Sequence, residues 1–175
     1  IFGAGPVGLT ALMTAKTSNA RTIIIEPLAY RRETALKFGA DHAVDPTEGD
    51  LAEKILKLTG GRGPSLVVEA SGNDRAIASI FDIAGNSARV RLIGHSVGRK
   101  VPVEIGRTIW KTLNITGSGG TRSFGQRTIR FMDRMRGRFN VRGLISHRFP
   151  FTKIHEAFQV ALKEKASALK VMLNF

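Results

Sequence analysis

The sequence predicts an α/β fold, a doubly wound sheet of six parallel strands, with a C-terminal tail that does not extend the sheet. Three observations predict it. Short apolar runs alternate with helix-period segments as far as about residue 117, the pattern of successive βαβ units. Runs such as Ile23-Ile24-Ile25 and Leu66-Val67-Val68 are continuous, as in strands covered on both faces. The opening Ile1-Phe2 passes through Gly3-x-Gly5-x-x-Gly8 directly into Leu9-Thr10-Ala11-Leu12-Met13, so a glycine turn joins a strand to a helix.

That first turn carries chemistry. In a dinucleotide site the first glycine (Gly3) makes the tight turn, the second (Gly5) lets backbone approach the pyrophosphate, and the third (Gly8) packs the helix close to the strand. The helix that follows offers unpaired N–H groups and a positive dipole end to phosphates. Thr22-Ile23-Ile24-Ile25-Glu26 is the second strand. Its Glu26 stands 18 residues past Gly8, where the fingerprint places a carboxylate for the adenosine ribose hydroxyls. The other reading of Glu26 is a cap on the next helix, whose start Pro27 marks.

The remaining elements follow in order. Leu28–Phe38 reads as a helix ended by Gly39. His42-Ala43-Val44 is a short third strand closed by Asp45-Pro46. Leu51, Ile55 and Leu58 share one side of a helix, stopped by the Thr59–Pro64 turn cluster. Leu66-Val67-Val68 is the fourth strand, and Ala70–Asp74 turns into a helix carrying Ile77, Ile80 and Phe81. Val90–Ile93 is the fifth strand, ending at Gly94. A short helix over Ile105–Trp110 leads to the sixth, Leu113–Thr116. Strand order 3-2-1-4-5-6 is expected, with the ligand at the carboxyl ends between strands 1 and 4. The loops Gly3–Gly8, Ala70–Gly72 and Ile93–His95 should meet there. Ala70, Ser71, Gly72 and Gly94 are small enough for a flat ligand to approach, although ordinary turns use the same residues. His95 would adjoin the cofactor.

From Gly117 the pattern changes. After the breaker cluster Gly117–Thr121, a helix over about Phe124–Arg136 should turn Ile129, Met132 and Met135 inward. A second, with Ile154, Ala157, Phe158, Ala161 and Leu162, has the cleanest apolar stripe in the chain, and Lys170–Phe175 is a closing strand. The expected division is 1–117 and 118–175.

Composition narrows the class. No cysteine is present, which excludes disulfides and thiolate metal sites within the chain. No apolar run approaches the 18 residues of a membrane span. The net charge of +13 is uneven: between Arg107 and His155 stand eleven Lys/Arg and one acid, Asp133, with Arg127, Arg130 and Arg134 on one side of a helix. A nucleic-acid-binding module would want such a stripe, but no aromatics are interleaved with it for stacking. A solvated face, or a surface toward an acidic partner domain, is the plainer reading. Ile1-Phe2 is short for a buried strand, so the chain is expected to be part of a longer polypeptide.

With these residues in hand, the chain resembles the medium-chain dehydrogenase/reductase family, in its zinc-dependent alcohol and polyol branch. The resemblance is carried by GAGPVG at 3–8, Glu26, Lys37-Phe38-Gly39-Ala40-Asp41, Val68-Glu69-Ala70-Ser71-Gly72, Leu144–Pro150 and Lys170-Val171-Met172-Leu173 in register. It implies a Rossmann cofactor domain and hydride transfer between NAD(P) and a secondary alcohol. It also implies a zinc whose ligands would lie in a catalytic domain upstream of Ile1, to which the tail would return. By position, Pro6 and Val7 would offer backbone N–H groups to the pyrophosphate, Glu26 would hold the ribose and Arg31 would lie beside it. Ile93 and Asn114–Gly117, with Thr116 and Gly117, would present backbone to the nicotinamide carboxamide, and Lys170 would reach the pyrophosphate. The carboxylate at position 26 favours NAD over NADP, although Arg31 and Arg32 could accept a 2′-phosphate. A cytoplasmic homo-oligomer acting on a small alcohol or polyol is implied, without membrane or nucleic-acid partners. A zinc-free NADPH quinone or enoyl reductase of the same fold is the alternative.

Overall fold

Five apolar runs of the first 117 residues form parallel strands, and Ile1-Phe2 contributes a bridge between them. The computed structural model describes residues 1–94, 97–119 and 125–175; His95, Gly120, Thr121 and Phe124 of the sequence expectations lie outside the described residues. The chain folds as two compact units, Ile1–Ser118 and Gly119–Phe175.

In the first unit the strands are β1 (Ile23–Ile25), β2 (His42–Val44), β3 (Leu66–Glu69), β4 (Arg89–Leu92) and β5 (Asn114–Gly117). β1 pairs with β2, and β3 with β4 and β4 with β5, all parallel. Phe2 joins the two sets by parallel bridges to Ile25 and Glu69. The order β2-β1-Phe2-β3-β4-β5 is therefore the expected doubly wound order, with Phe2 in the central place. The backbone does the joining: Phe2 N–H donates to Val68 O at 2.8 Å, Ala70 N–H to Phe2 O at 3.0 Å, and Gly3 N–H to Ile25 O at 2.8 Å.

Helices alternate with the strands: α1 (Pro6–Lys16), α2 (Ala29–Lys37), α3 (Leu51–Leu58), α4 (Asp74–Ile83) and the single turn α5 (Gly106–Trp110). Asp50 caps α3 through Glu53 N–H, and Asn73 caps α4 through the N–H groups of Arg75 and Ala76. The core cluster runs from Phe2 and Ile25 through Val67 and Val90 to Ile55 of α3 and Ile80, Phe81 and Ile83 of α4. Alternation along a strand turns Ile24 to the other face, and Ile24, Leu9, Leu12 and Ala35 are each 0% exposed.

The second unit holds α6 (Gly125–Arg134), β6 (His147–Pro150), α7 (Ile154–Lys163) and β7 (Val171–Asn174), with β6 and β7 parallel. One expectation is corrected here. Ile129 and Met132 of α6 are not turned inward but are 69% and 42% exposed; along the apolar stripe of α7 Ala157 is buried, while Phe158 and Leu162 are 58% and 65% exposed. Helical spacing decides which residues share a side; whether another element covers that side is a tertiary fact.

The amino ends of β1 and β2 are fixed by one carboxylate. Asp41 Oδ2 accepts from Thr22 N–H at 2.7 Å, from the Thr22 hydroxyl at 2.9 Å and from the Lys16 ammonium at 2.9 Å. The hydrogen bond from Lys16, and then that from Thr22 N–H, lower its pKa from 3.8 to about 2. The folded-state value lies below the unfolded one. The stability it contributes is thus complete above the unfolded value and lost as pH falls through the folded one. Asp41→Asn is expected to lower the melting temperature at neutral pH and to flatten its decline between the ordinary 3.8 and about 2; thermal melts over an acid series check both.

Candidate functional site

The cleft is built at the carboxyl ends of the strands, beginning with the glycine turn. Gly3 has φ +89°, a conformation that side chains strain to adopt. A Cβ on Gly8 would overlap the Gly3 carbonyl oxygen, so the start of α1 lies directly on the turn. Gly5 is the opposite case, with nothing within 4 Å of where its Cβ would stand. Helix α1 begins at Pro6 with Gly5 as N-cap and no side-chain cap, which leaves its first N–H groups for an anion. One expectation is corrected: Pro6 has no backbone N–H to offer. Proline at the first helical position sets φ, and the first N–H groups of the helix belong to Val7, half exposed, and Gly8.

Glu26 follows β1 at its carboxyl end and is 5% exposed. Its Oε2 accepts from Ala4 N–H inside the glycine turn at 2.8 Å, and Oε1 from Leu28 N–H at the start of α2 at 3.1 Å. Glu26 thus holds the glycine turn and the residue before α2, but α2 has no side-chain cap. A ribose diol would use the remaining lone pairs of these oxygens. Arg31 lies one helical turn along, its N–H bonded to Leu28 O. Arg32 is committed elsewhere: Nη1 donates to Glu26 O at 2.9 Å and Pro27 O at 2.6 Å, and pairs with Asp45 at 2.7 Å.

Across the central bridge, the loop Ala70–Gly72 meets the glycine turn. Ser71 atoms lie 3.2 Å from where a Cβ on Gly3 would stand, and a Cβ on Gly72 would overlap the Gly94 carbonyl. The N–H groups of Ile93 and Gly94 donate to Glu69 O at 2.9 and 3.1 Å. Three loops expected to converge thus do so at Gly3, Ala70–Gly72 and Ile93–Gly94. On β5 the Thr116 hydroxyl accepts from Arg91 at 2.8 Å, and Gly117 stands opposite Leu92, so this segment has backbone to present. Two participants escaped the sequence reading. Glu69 is fully buried behind the loop, and Arg99 donates to Gly72 O at 3.2 Å and pairs with Asp74 at 2.6 Å. An acid closing an apolar run just before a turn of small residues was the available signal for Glu69; for Arg99 there was none.

A family model described as zinc-binding dehydrogenase matches residues 6–152. The chain belongs to that family. It is 33% identical to the L-threonine 3-dehydrogenase of Pyrococcus horikoshii over 99% of its own length and 51% of that protein. Sorbitol dehydrogenase of Bacillus subtilis is 30% identical, over 99% of this chain and 49% of the relative. Among solved structures, a short chain alcohol dehydrogenase from E. coli complexed with cofactor NADH superposes with a TM-score of 0.89 at 26% identity, covering 99% of this chain and 51% of that one. The chain spans about half the length of the relatives it matches.

Within this zinc-binding dehydrogenase chain, no group of three His, Cys, Asp or Glu among the described residues is placed to hold a metal ion. No helix among them is long and apolar enough to cross a membrane. Lys170 belongs to the second unit, exposed, its carbonyl accepting from Ser146 N–H at 2.9 Å. The residues of the first unit do fit a dinucleotide: uncapped N–H groups and open space at Gly5 for the pyrophosphate, and a carboxylate at Glu26 for a diol.

Gly5 and Gly8 separate the ligand's needs from the fold's. Gly5→Val is expected to leave the melting temperature within a few degrees while weakening NADH binding roughly tenfold or more, since only a ligand competes for that space. Gly8→Ala should lower the melting temperature outright. Calorimetric melts and NADH fluorescence titration on both variants test the distinction.

Proposed function

We propose that this chain is the NAD-binding portion of an alcohol or polyol dehydrogenase, which transfers a hydride between a secondary alcohol and NAD. The observation that carries the reading is the pairing of the open glycine turn at the uncapped end of α1 with the Glu26 carboxylate that grips the same turn. Relatives named for L-threonine and for sorbitol support an alcohol substrate. A bound nicotinamide supplies the hydride chemistry. This chain's residues bind and orient it: Val7 and Gly8 toward the pyrophosphate, Glu26 toward the ribose, and Ile93, Thr116 and Gly117 toward the carboxamide. No residue of the chain is assigned to zinc. A partner domain of the kind spanned by the other half of the relatives, and a homo-oligomeric enzyme in the cytoplasm, complete the proposal.

NAD is preferred over NADP on this reading. A 2′-phosphate at the ribose would meet the Glu26 carboxylate, and Arg32 could turn to it only by leaving Asp45 and two carbonyls. The chain should therefore bind NADH, more tightly than NADPH, and oxidise no alcohol by itself. Glu26→Gln should reduce the NADH-over-NADPH preference by about tenfold, the loss of roughly one charge-assisted hydrogen bond and one repulsion. Fluorescence titration with both nucleotides tests this: tighter binding of NADPH by the unaltered chain would overturn the Glu26 assignment, and absence of NADH binding the whole reading.

A further inference from the structure

Among the described residues Glu69 is the most deeply buried charged side chain, 0% exposed, and nothing in the proposed hydride transfer uses it. Its hydrogen bonds run one way. Oε1 accepts from Ser71 N–H at 2.7 Å, from the Ser71 hydroxyl at 2.5 Å and from Gly72 N–H at 2.9 Å. Oε2 has no hydrogen-bond partner among the described residues and lies 2.9 Å from where a Cβ on Gly94 would stand. The carbonyl of the same residue takes the N–H groups of Ile93 and Gly94. One residue therefore holds both loops that border the glycine turn, the near one by its carboxylate and the far one by its main chain.

The loop so held cannot relax far. Gly72 has φ +66° and backs onto the Gly94 carbonyl, while Ser71 packs against Gly3. A carboxylate is the side chain suited to the task, because it donates nothing and can accept several N–H and O–H groups at once. Bonds to a charged acceptor are also shorter and stronger than neutral ones. Every donor it engages lies in the loop on the ligand side of the strand end, and none in the core.

We propose that Glu69 is a positioning residue of the cofactor cleft, whose carboxylate fixes the Ser71–Gly72 backbone against the Gly3 turn and so sets the room and alignment available to the dinucleotide. The proposal rests on the cofactor reading above. It differs from a purely structural role in what should move: local order in the loop and cofactor affinity, with the global fold largely unaffected.

The test uses this chain, NADH titration, thermal melts and amide exchange measured by NMR. Glu69→Gln keeps the length and one acceptor but removes the charge and places an NH2 group beside Gly94. The expected result is NADH binding weaker by about five- to tenfold, with bonds to the charged acceptor roughly halved in strength. Faster exchange of the Gly72 amide should accompany it, with a melting temperature within a few degrees of the unaltered chain. Unchanged NADH affinity would overturn the proposal. So would affinity and melting temperature falling together with no selective loss of Gly72 protection. Should Glu69→Gln fail to fold, Ser71→Ala removes the hydroxyl that donates to Glu69 and accepts from Asn73 N–H; a two- to threefold loss of affinity with a melting temperature within a few degrees is then expected, and unaltered affinity is the overturning result. If the unaltered chain does not bind NADH, it is the cofactor reading that falls, and this proposal falls only with it.

Discussion

The first unit depends on the backbone of its first three residues. Ile1–Gly3 lies between Ile25 and Val68, and its carbonyl and N–H groups form the hydrogen bonds that join the two halves of the sheet. Phe2 is bridged on both sides, to Ile25 and to Glu69, and its side chain is buried in the core cluster. The direction in which the chain leaves Phe2 decides where α1 starts, and α1 can start there only because Gly8 admits the Gly3 carbonyl where a Cβ would stand. The position of the cleft follows from that contact. The turn, the uncapped helix end and the two flanking strand ends lie together because one residue is paired on both edges.

Two buried carboxylates flank this bridge, Glu26 after β1 and Glu69 at the end of β3, 5% and 0% exposed. Burying a charge without partners is costly. Glu26 is held by the N–H groups of Ala4 and Leu28 and Glu69, through one of its two oxygens, by the N–H groups of Ser71 and Gly72 and the Ser71 hydroxyl. Each converts a flexible turn into one with a set shape. Their visibility in the sequence differed for a physical reason. Glu26 is found by its distance from the glycine turn, since the fingerprint links turn, helix and second strand at fixed length. Glu69 has no such ruler. Its burial depends on strands β3 and β4 running side by side, which only the folded sheet makes plain.

The same distinction runs through the rest of the chain. The boundaries of α2, β2 and α3 were legible to within a residue or two, because the stop at Gly39, the Asp45-Pro46 pair and the Thr59–Pro64 turn cluster act over a few residues. The doubly wound order was legible because βαβ connections leave few alternatives. The inward side of α6 was not, since Ile129 and Met132 satisfy the spacing rule and still face away from their own unit's core. Local chemistry is written in short words; coverage requires knowing the neighbour. Pro6 is a third kind of case, in which the family pattern gave a donor role to a residue whose own chemistry, a nitrogen without hydrogen, rules it out, so that the first N–H groups of α1 are those of Val7 and Gly8.

On the proposed reading the division of labour follows from what lines the cleft. The described side and main chains there are N–H donors, two carboxylates engaged with backbone, and small residues that leave space; none is an acid or base aimed at a reacting carbon. Such a surface holds a dinucleotide with the same contacts before and during hydride transfer, so it contributes affinity and orientation rather than selective stabilisation of the transition state. Orientation is the more demanding of the two, because a small error in the angle at which the ring is presented costs rate even when affinity survives. On the same reading, turns held by carboxylates at the strand ends, Glu26 on Ala4 and Glu69 on Ser71 and Gly72, would serve that orientation.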